Sequence, residues 1–141
     1  MILIDTNVVS EPMRVHPDRR VIDWLDRQSA ETLFLSTISL AELLLGLAVL
    51  PAGRRRDALA HTLESRITAL FGNRILGFDT AAAHAYATAV AHARQRGHQL
   101  SVADGQIAAI ASVHGLSVAS RDEAPFQAAG VGVVNPWTAP A

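Results

Sequence analysis

The sequence predicts a three-layer α/β/α fold, in which a central parallel sheet of about five strands carries helices on both faces. Short apolar runs alternate along the chain with longer stretches of helical periodicity, and the runs are continuous enough for strands buried on both faces. Half of the 141 residues are hydrophobic and 18% are charged, which suits one ordinary core. We therefore expect a single domain over residues 1–141.

Five apolar runs have the length and composition of buried strands. The first, MILI, ends at Asp5-Thr6-Asn7, whose residue types begin helices. The other four predicted strands cover residues 32–35, 74–78, 116–119 and 131–134. Because helical stretches separate most of these strands, parallel pairing is expected.

Two helices are predicted in the first half of the chain, each beside a proline. Pro17 suits the first turn of a helix over residues 17–28, which has a clear apolar face. A Ser or Thr of the segment STIS can cap the next helix, whose apolar run covers residues 40–50. Pro51 helps to end that helix.

Three further helices are predicted in the second half: residues 53–71, an Ala-rich helix from Asp79 or Thr80 to about Arg96, and residues 104–114. The first of them has a basic start, Arg54-Arg55-Arg56. Gly97 and Gly115 follow the other two and are typical of helix C-termini.

Composition excludes several classes of protein. Without cysteine there is no disulfide and no thiolate metal site, which fits a cytoplasmic protein. The N-terminus lacks the basic region of a signal peptide, and no apolar run reaches the roughly 20 residues of a membrane span. The six histidines form no metal-binding pair at helical spacing and no HExxH motif. A net charge of −1 gives no global signal for nucleic acid.

Four acidic residues fall where a parallel sheet would bring them together. Asp5 and Asp122 follow predicted strands, Glu42 lies in the apolar helix after the second strand, and Asp104 opens a helix. Ligands of open α/β sheets bind outside the carboxyl ends of the strands. Taken singly, each acid also has a local explanation, because Asp5 and Asp104 suit helix starts and Asp122 suits a turn.

Such a cluster predicts a divalent metal site. Two carboxylates about 4 Å apart repel each other by roughly 4 kcal/mol at an effective dielectric near 20. Mg²⁺ and Mn²⁺ favour oxygen ligands, and a carboxylate-held metal can hydrolyse a phosphodiester without a protein nucleophile. Side chains next to the acids are candidates for supporting them or contacting phosphate: Thr6, Asn7, Ser39 and Arg121.

In order along nearly the whole chain, five motifs resemble those of the PIN domain, and specifically the VapC-type toxins of bacterial toxin–antitoxin pairs. The motifs are MILIDTNVVSE, STISLAELLLG, SVADGQIAAIA, VASRDEAPF and VGVVNPW. The Arg-Asp pair and the Asn-Pro-Trp segment are most similar to the FitB-like branch. By this resemblance Asp5, Glu42 and Asp104 match the three core acids, and Asp122 matches the fourth. Many VapC toxins instead carry Asn at the position of Asp122 and a further Asp three residues later, where this chain has Pro125, so the fourth acid is assigned to Asp122.

The resemblance implies an Mg²⁺- or Mn²⁺-dependent endoribonuclease that acts as the toxin of a type II toxin–antitoxin module. It also implies a homodimer, assembly with a cognate antitoxin into a heterotetramer or larger complex, and operator DNA contacts made only through that antitoxin. The sequence leaves open the RNA target and whether one or two metals bind.

Two alternatives stay open at this point. A PIN-like domain with weak or lost activity could serve only as a partner in an operator-binding repressor complex, although the four acids argue against it. Haloacid dehalogenase-type phosphatases and receiver domains also place an Asp after the first strand. Phosphatases of that type need Asp-x-Asp, whereas Thr6-Asn7 follow Asp5, and receiver domains need a Lys near the end that this chain lacks.

Overall fold

The computed structural model describes residues 1–140 and contains a sheet of five parallel strands. They are β1 (Ile2–Ile4), β2 (Leu33–Ser36), β3 (Ile75–Leu76), β4 (Ser117–Ala119) and β5 (Val133–Val134). Their order in the sheet is β3-β2-β1-β4-β5, so β1 lies at the centre. The predicted α/β class and parallel sheet are confirmed.

Seven α-helices surround the sheet in the described part of the chain: α1 (Thr6–Ser10), α2 (Arg19–Asp26), α3 (Thr37–Ala48), α4 (Arg54–Phe71), α5 (Thr80–Gln95), α6 (Val102–His114) and α7 (Ala124–Ala128). Five of them begin at an Asp or Ser whose side chain accepts a backbone N–H of the first turn: Asp5, Asp18, Ser36, Asp79 and Ser101. Within residues 1–140, no helix is both long and apolar enough to cross a membrane.

Both faces of the sheet are buried, as the continuous apolar runs predict. Neighbouring residues of β1 point to opposite sides. Ile4 belongs to the hydrophobic cluster formed with α1, α2, α3 and α4, whereas Leu3 belongs to the cluster formed with α5, α6 and α7. Trp137, near the C-terminus, packs into the first of these clusters. The result is the three-layer α/β/α arrangement.

The strand order places a switch point at the centre of the sheet. From β1 the chain builds outward through β2 and β3, and then crosses to the other side of β1 to form β4 and β5. The connections that follow β1 and β4 therefore leave the carboxyl-end edge of the sheet next to each other and run in opposite directions. Asp5 follows β1 and Asp122 follows β4, so the switch point brings two of the predicted acids together.

Several boundaries differ from those the sequence predicts, most by one or two residues. Helix α2 is capped by Asp18 rather than started by Pro17, and α6 begins at Val102 because Ser101 caps it. Strands β3 and β5 have two residues each, shorter than predicted, because only two residues of each pair with a neighbour. Helix α7 was not predicted, and it begins with Pro125 in its first turn.

Candidate active site

Four carboxylates line one cavity at the carboxyl-end edge of the sheet. The cavity has a volume of about 350 Å³, and Asp5, Glu42, Asp104 and Asp122 line it together with Thr6, Asn7 and Ser10. We call it the acidic cavity. Asp5 lies at its floor with 7% of its surface exposed, whereas Glu42 and Asp122 are exposed at its rim. The structure thus brings together the four acids that the sequence singles out.

Asp5 is held in place on three sides. Its backbone N–H donates to the carbonyl oxygen of Ala119 at 2.9 Å, which continues the pairing of β1 with β4. One carboxylate oxygen, Oδ1, accepts the N–H of Thr6 at 2.8 Å, and the other, Oδ2, accepts the hydroxyl of Ser120 at 2.7 Å. The carboxylate therefore cannot rotate without breaking a short hydrogen bond.

Ser120 links three residues of the site. Besides donating to Asp5, its fully buried Oγ accepts the backbone N–H of Asp122 at 3.1 Å and the side-chain amide of Asn7 at 3.4 Å. The segment after β4 and the segment after β1 are thereby joined through one hydroxyl. Sequence reasoning missed this role, although Ser120 stands directly between β4 and the Arg-Asp pair.

Glu42 and Asp104 reach the cavity from two helices. Glu42 lies in α3, where its Oε1 accepts the hydroxyl of Thr6 at 3.1 Å. Asp104 lies in the first turn of α6, and its backbone N–H donates to the capping hydroxyl of Ser101 at 3.1 Å. Each acid is thus placed by a local helix start or a neighbouring hydroxyl.

Mutual repulsion and burial change the titration of two acids. Burial raises the pKa of Asp5, hydrogen bonds from Ser120 and Thr6 lower it, and the carboxylates of Asp104 and Glu42 raise it, with a net increase. The pKa of Asp104 is also raised, chiefly by burial and further by Asp122, against a lowering hydrogen bond from Ser101. The folded site therefore disfavours the ionised forms of Asp5 and Asp104.

The segment that carries Asp122 is tied to Asn135 and Trp137, near the end of the chain. Asn135 Nδ2 donates to the carbonyl oxygen of Arg121 at 3.4 Å and to the carboxylate of Glu123 at 3.2 Å. The Arg121 guanidinium lies 5.1 Å from the centre of the buried Trp137 ring, within cation–π range. The Asn-Pro-Trp segment thus supports the segment that carries Asp122.

The predicted supporting residues divide into two pairs. Thr6 and Asn7 line the acidic cavity and hydrogen-bond within it. Ser39 and Arg121 do not line it, and the buried Oγ of Ser39 has no hydrogen-bond partner among residues 1–140. The backbone N–H of Arg121 still donates to Asn7 Oδ1 at 3.4 Å.

The donor set fits a hard divalent cation. All four carboxylates offer oxygen, no Lys, Arg or His lines the cavity, and none of the four forms an ion pair within residues 1–140. No three Asp, Glu or His side chains in that part of the chain converge closely enough to enclose an ion. Mg²⁺ usually takes one or two carboxylates and keeps several waters, so an open set of this kind suits it.

Comparison with known proteins identifies the family. The PIN-domain family model matches residues 2–131. The plasmid stability protein StbB of Pseudomonas syringae pv. tomato is 50% identical over 139 residues, which are 99% of this chain and 100% of that protein. VapC ribonuclease Y4jK of Sinorhizobium fredii is 47% identical over 137 residues, 97% of this chain and 98% of the relative. Toxin FitB of Neisseria gonorrhoeae is 48% identical over 137 residues, 97% of this chain and 99% of the relative.

Solved structures give the same assignment. The crystal structure of FitAcB from Neisseria gonorrhoeae matches with a TM-score of 0.94 and 47% identity, and covers 99% of this chain and 100% of the matched chain. The structure of FitAB bound to an IR36 DNA fragment matches with a TM-score of 0.95 and 45% identity, and covers 100% of this chain and 99% of the matched chain. The chain belongs to the PIN-domain family, among the VapC and FitB proteins.

Proposed function

We propose that this chain is an Mg²⁺- or Mn²⁺-dependent endoribonuclease that hydrolyses RNA phosphodiester bonds and acts as the toxin of a type II toxin–antitoxin pair. One observation carries the proposal: four carboxylates from four separate segments share an open cavity that no cationic side chain lines. The names of two relatives, VapC ribonuclease and Toxin FitB, support the reaction and the role.

Asp5, Asp104 and Asp122 would hold the metal directly or through its waters, and Glu42 would either join them or orient the attacking water. When bound, a divalent ion supplies an activated water and stabilises the charge that builds on the phosphate and the leaving oxygen. The hydrogen bonds from Ser120 and Thr6 fix the direction in which Asp5 presents its oxygens. Full burial keeps the Ser120 hydroxyl away from substrate, which fits a reaction without a protein nucleophile.

Glu42 has a second role open to it. Its Oε1 is engaged by Thr6, whereas Oε2 has no protein hydrogen-bond partner within residues 1–140, and the side chain stands exposed at the rim. We infer that Glu42 orients the attacking water through this free oxygen. Asn7 lines the same cavity, so its amide is placed to contact the phosphate.

The proposed partners are a cognate antitoxin, a second copy of the chain and RNA, with operator DNA bound only through the antitoxin in a heterotetramer or larger complex. The chain would act in the cytoplasm as one PIN domain. An apolar surface between α3 and α4 supports a protein partner, because Leu44 lines it and is 52% exposed. Leu45, the next residue of α3, is 63% exposed. The structure of FitAB bound to an IR36 DNA fragment supports a DNA-bound complex of this kind.

The test is RNA cleavage by protein purified free of antitoxin. Total RNA is incubated with the wild-type protein and Mg²⁺ or Mn²⁺, beside an EDTA sample, the Asp5→Asn variant and the Asp26→Asn variant. Asp26 is an exposed acid of α2 outside the cavity, so it controls for the loss of one charge. We expect discrete fragments that EDTA abolishes. Asp5→Asn should lower the rate by more than about 100-fold, because even residues that only support metal ligands contribute 10–100-fold.

Two results would reject the proposal. Cleavage that persists in EDTA or in Asp5→Asn would point to a contaminating nuclease or another site. Absence of cleavage by folded, metal-loaded protein, together with intact operator binding of its antitoxin complex, would favour the alternative role as a catalytically weak partner in a repressor complex.

A further inference from the structure

Three consecutive arginines stand at the start of α4 and form a surface that the proposed reaction has not used. Arg54, Arg55 and Arg56, with residues 50–53 before them, line a cavity of about 310 Å³. Arg54 and Arg55 are exposed, and none of the three arginines forms an ion pair within residues 1–140. We call residues 50–56 the arginine loop.

Arg56 differs from its two neighbours. Its Nη1 donates to the carbonyl oxygen of Leu50 at 3.4 Å, which closes the turn between α3 and α4. The guanidinium groups of Arg54 and Arg55 have no such bond within residues 1–140. Two positive charges are therefore presented to solvent by a loop that the third arginine fixes.

The arginine loop is continuous with the acidic cavity. An apolar groove of about 340 Å³ lies between them and is lined by Leu43, Gly46 and Leu47 among others. The groove shares Glu42, Thr6 and Ser10 with the acidic cavity, and it shares Leu50 with the arginine loop. Thus three depressions form one path over α3.

Most other arginines are already engaged. Arg14, Arg19 and Arg20 pair with acids. Arg74 donates to the carbonyl oxygens of Leu33 and Leu70, and Arg121 lies against Trp137. Within the described residues, the arginine loop therefore holds the only arginines that both lack a protein partner and line the path to the acidic cavity.

A polyanionic substrate needs such a surface. With a net charge of −1 the chain as a whole does not attract RNA, and the acidic cavity repels phosphates wherever metal does not neutralise it. Arginine is the residue best suited to phosphate, since its planar guanidinium forms paired hydrogen bonds. The arginine loop lies some distance from the acidic cavity. Along α3 the stretch from Glu42 to Ala48 alone spans about 9 Å, since a helix rises about 1.5 Å per residue.

We propose that Arg54 and Arg55 bind backbone phosphates of the RNA, a few nucleotides from the bond that is cut. The proposal rests on the ribonuclease function proposed above and adds its substrate path: over the apolar groove and onto the arginine loop. Because only phosphates are contacted, the surface raises affinity for single-stranded RNA without reading its sequence.

The test compares two charge-matched double variants. Arg54→Ala/Arg55→Ala removes the proposed contacts and keeps Arg56, which holds the loop. Arg94→Ala/Arg96→Ala removes two exposed arginines at the end of α5, which line neither the groove nor either neighbouring cavity. Binding of a labelled single-stranded RNA is measured in EDTA, where the proposed nuclease cannot cut, over a range of salt concentrations.

We expect only Arg54→Ala/Arg55→Ala to weaken binding, on the order of tenfold at low salt. The slope of log affinity against log salt should fall by about 1.4, since each phosphate contact on a single strand contributes about 0.7. The ratio of the RNA affinity of the wild type to that of the double variant should accordingly fall by about sevenfold between about 50 and about 200 mM salt. In metal-dependent cleavage the same variant should raise KM and leave kcat unchanged.

Several outcomes would overturn the inference. Equal losses in the two double variants, an unchanged salt slope, or no RNA binding by the wild type would each do so. Loss of antitoxin binding with RNA binding intact would assign the loop to the protein partner instead. A wild type that binds RNA through Arg54 and Arg55 but never cleaves it would reject the ribonuclease function and keep the phosphate surface, so the two failures are distinguishable.

Discussion

At the scale of single residues, two buried serines offer a direct comparison. Ser120 and Ser39 are both fully buried, but Ser120 bonds Asp5, Asn7 and Asp122, whereas the Ser39 hydroxyl has no partner within residues 1–140. A buried hydroxyl is favourable only when it is hydrogen-bonded. The two serines should therefore respond in opposite ways to the same substitution.

We expect Ser120→Ala to lower the free energy of unfolding by about 1–3 kcal/mol, because a charged acceptor and a backbone donor lose their partner. Ser39→Ala should leave it unchanged or raise it, since no hydrogen bond is lost. Urea unfolding of both variants in EDTA at pH 7 measures this. Equal destabilisation would show that Ser39 has a partner, as its predicted role beside Glu42 requires.

Asp5 and Asp18 should shift stability with pH in opposite directions. The pKa of Asp5 is raised, mainly by burial, so its neutral form stabilises the fold at low pH, and this contribution is lost as pH rises through the raised value. The pKa of Asp18 is lowered to about 2, first by its hydrogen bond with the Arg20 side chain, so its contribution is present above the ordinary carboxyl pKa and is lost as pH falls towards about 2.

Accordingly, Asp5→Asn should be more stable than the wild type at pH 7 without metal. This difference should shrink as pH falls through the raised pKa of Asp5 and should be lost once pH is well below the ordinary Asp value of about 3.9. Asp18→Asn should show the reverse sign at pH 7. Asn caps helices as well as Asp does, so both variants keep their helix starts. Thermal unfolding in EDTA from pH 3 to pH 7 tests the pair, and a destabilised Asp5→Asn at pH 7 would contradict the raised pKa.

At the scale of elements, the packing of α5 against α6 depends on a glycine. A Cβ on Gly105 would lie 2.8 Å from Tyr86 Cε2 and 3.1 Å from Val90 Cγ2, and the Tyr86 ring is itself held edge-on against Phe78. Gly46, inside α3, has nothing within 4 Å of the same position. The two helical glycines thus differ only in the space beside them.

Gly46→Ala should raise the free energy of unfolding by about 1 kcal/mol, because alanine is the better helix former. Gly105→Ala should lower it by about 1–3 kcal/mol, because Tyr86 and Val90 must both move. Denaturant unfolding midpoints measure the difference. A Gly105→Ala variant more stable than the wild type would mean that α5 and α6 leave more room beside Gly105 than these distances indicate.

Local patterns were enough to predict the sheet, most helices and the edge at which the acids meet. Each strand of that prediction is an apolar run, and five of the seven helices start at a capping Asp or Ser, so both can be read within a few residues. Helix α7 was missed because five residues with a proline at the start carry no periodicity. Ser120 was missed because its bond to Asp5 joins residues 115 positions apart, and only the pairing of β1 with β4 brings them together.

At the scale of the whole molecule, charge is unevenly distributed although the net charge is only −1. Negative charge collects in the acidic cavity, whereas Arg54 and Arg55 of the arginine loop are exposed and form no ion pair within residues 1–140. The apolar groove joins the two regions. A segment bound in this groove would block the proposed RNA path, which gives a physical route for inhibition by a protein partner.

The proposed metal site should also make the stability of the fold depend on the divalent ion. A divalent ion that binds the folded state alone should stabilise the wild type by about 2.7 kcal/mol at 100 times its dissociation constant, and EDTA should reverse the gain. Asp104→Asn should lose most of this stabilisation, because it removes a carboxylate that lines the cavity. Asp26→Asn, outside the cavity, should keep it. Thermal unfolding with and without Mn²⁺ measures all three proteins, and equal stabilisation of the two variants would place the metal elsewhere.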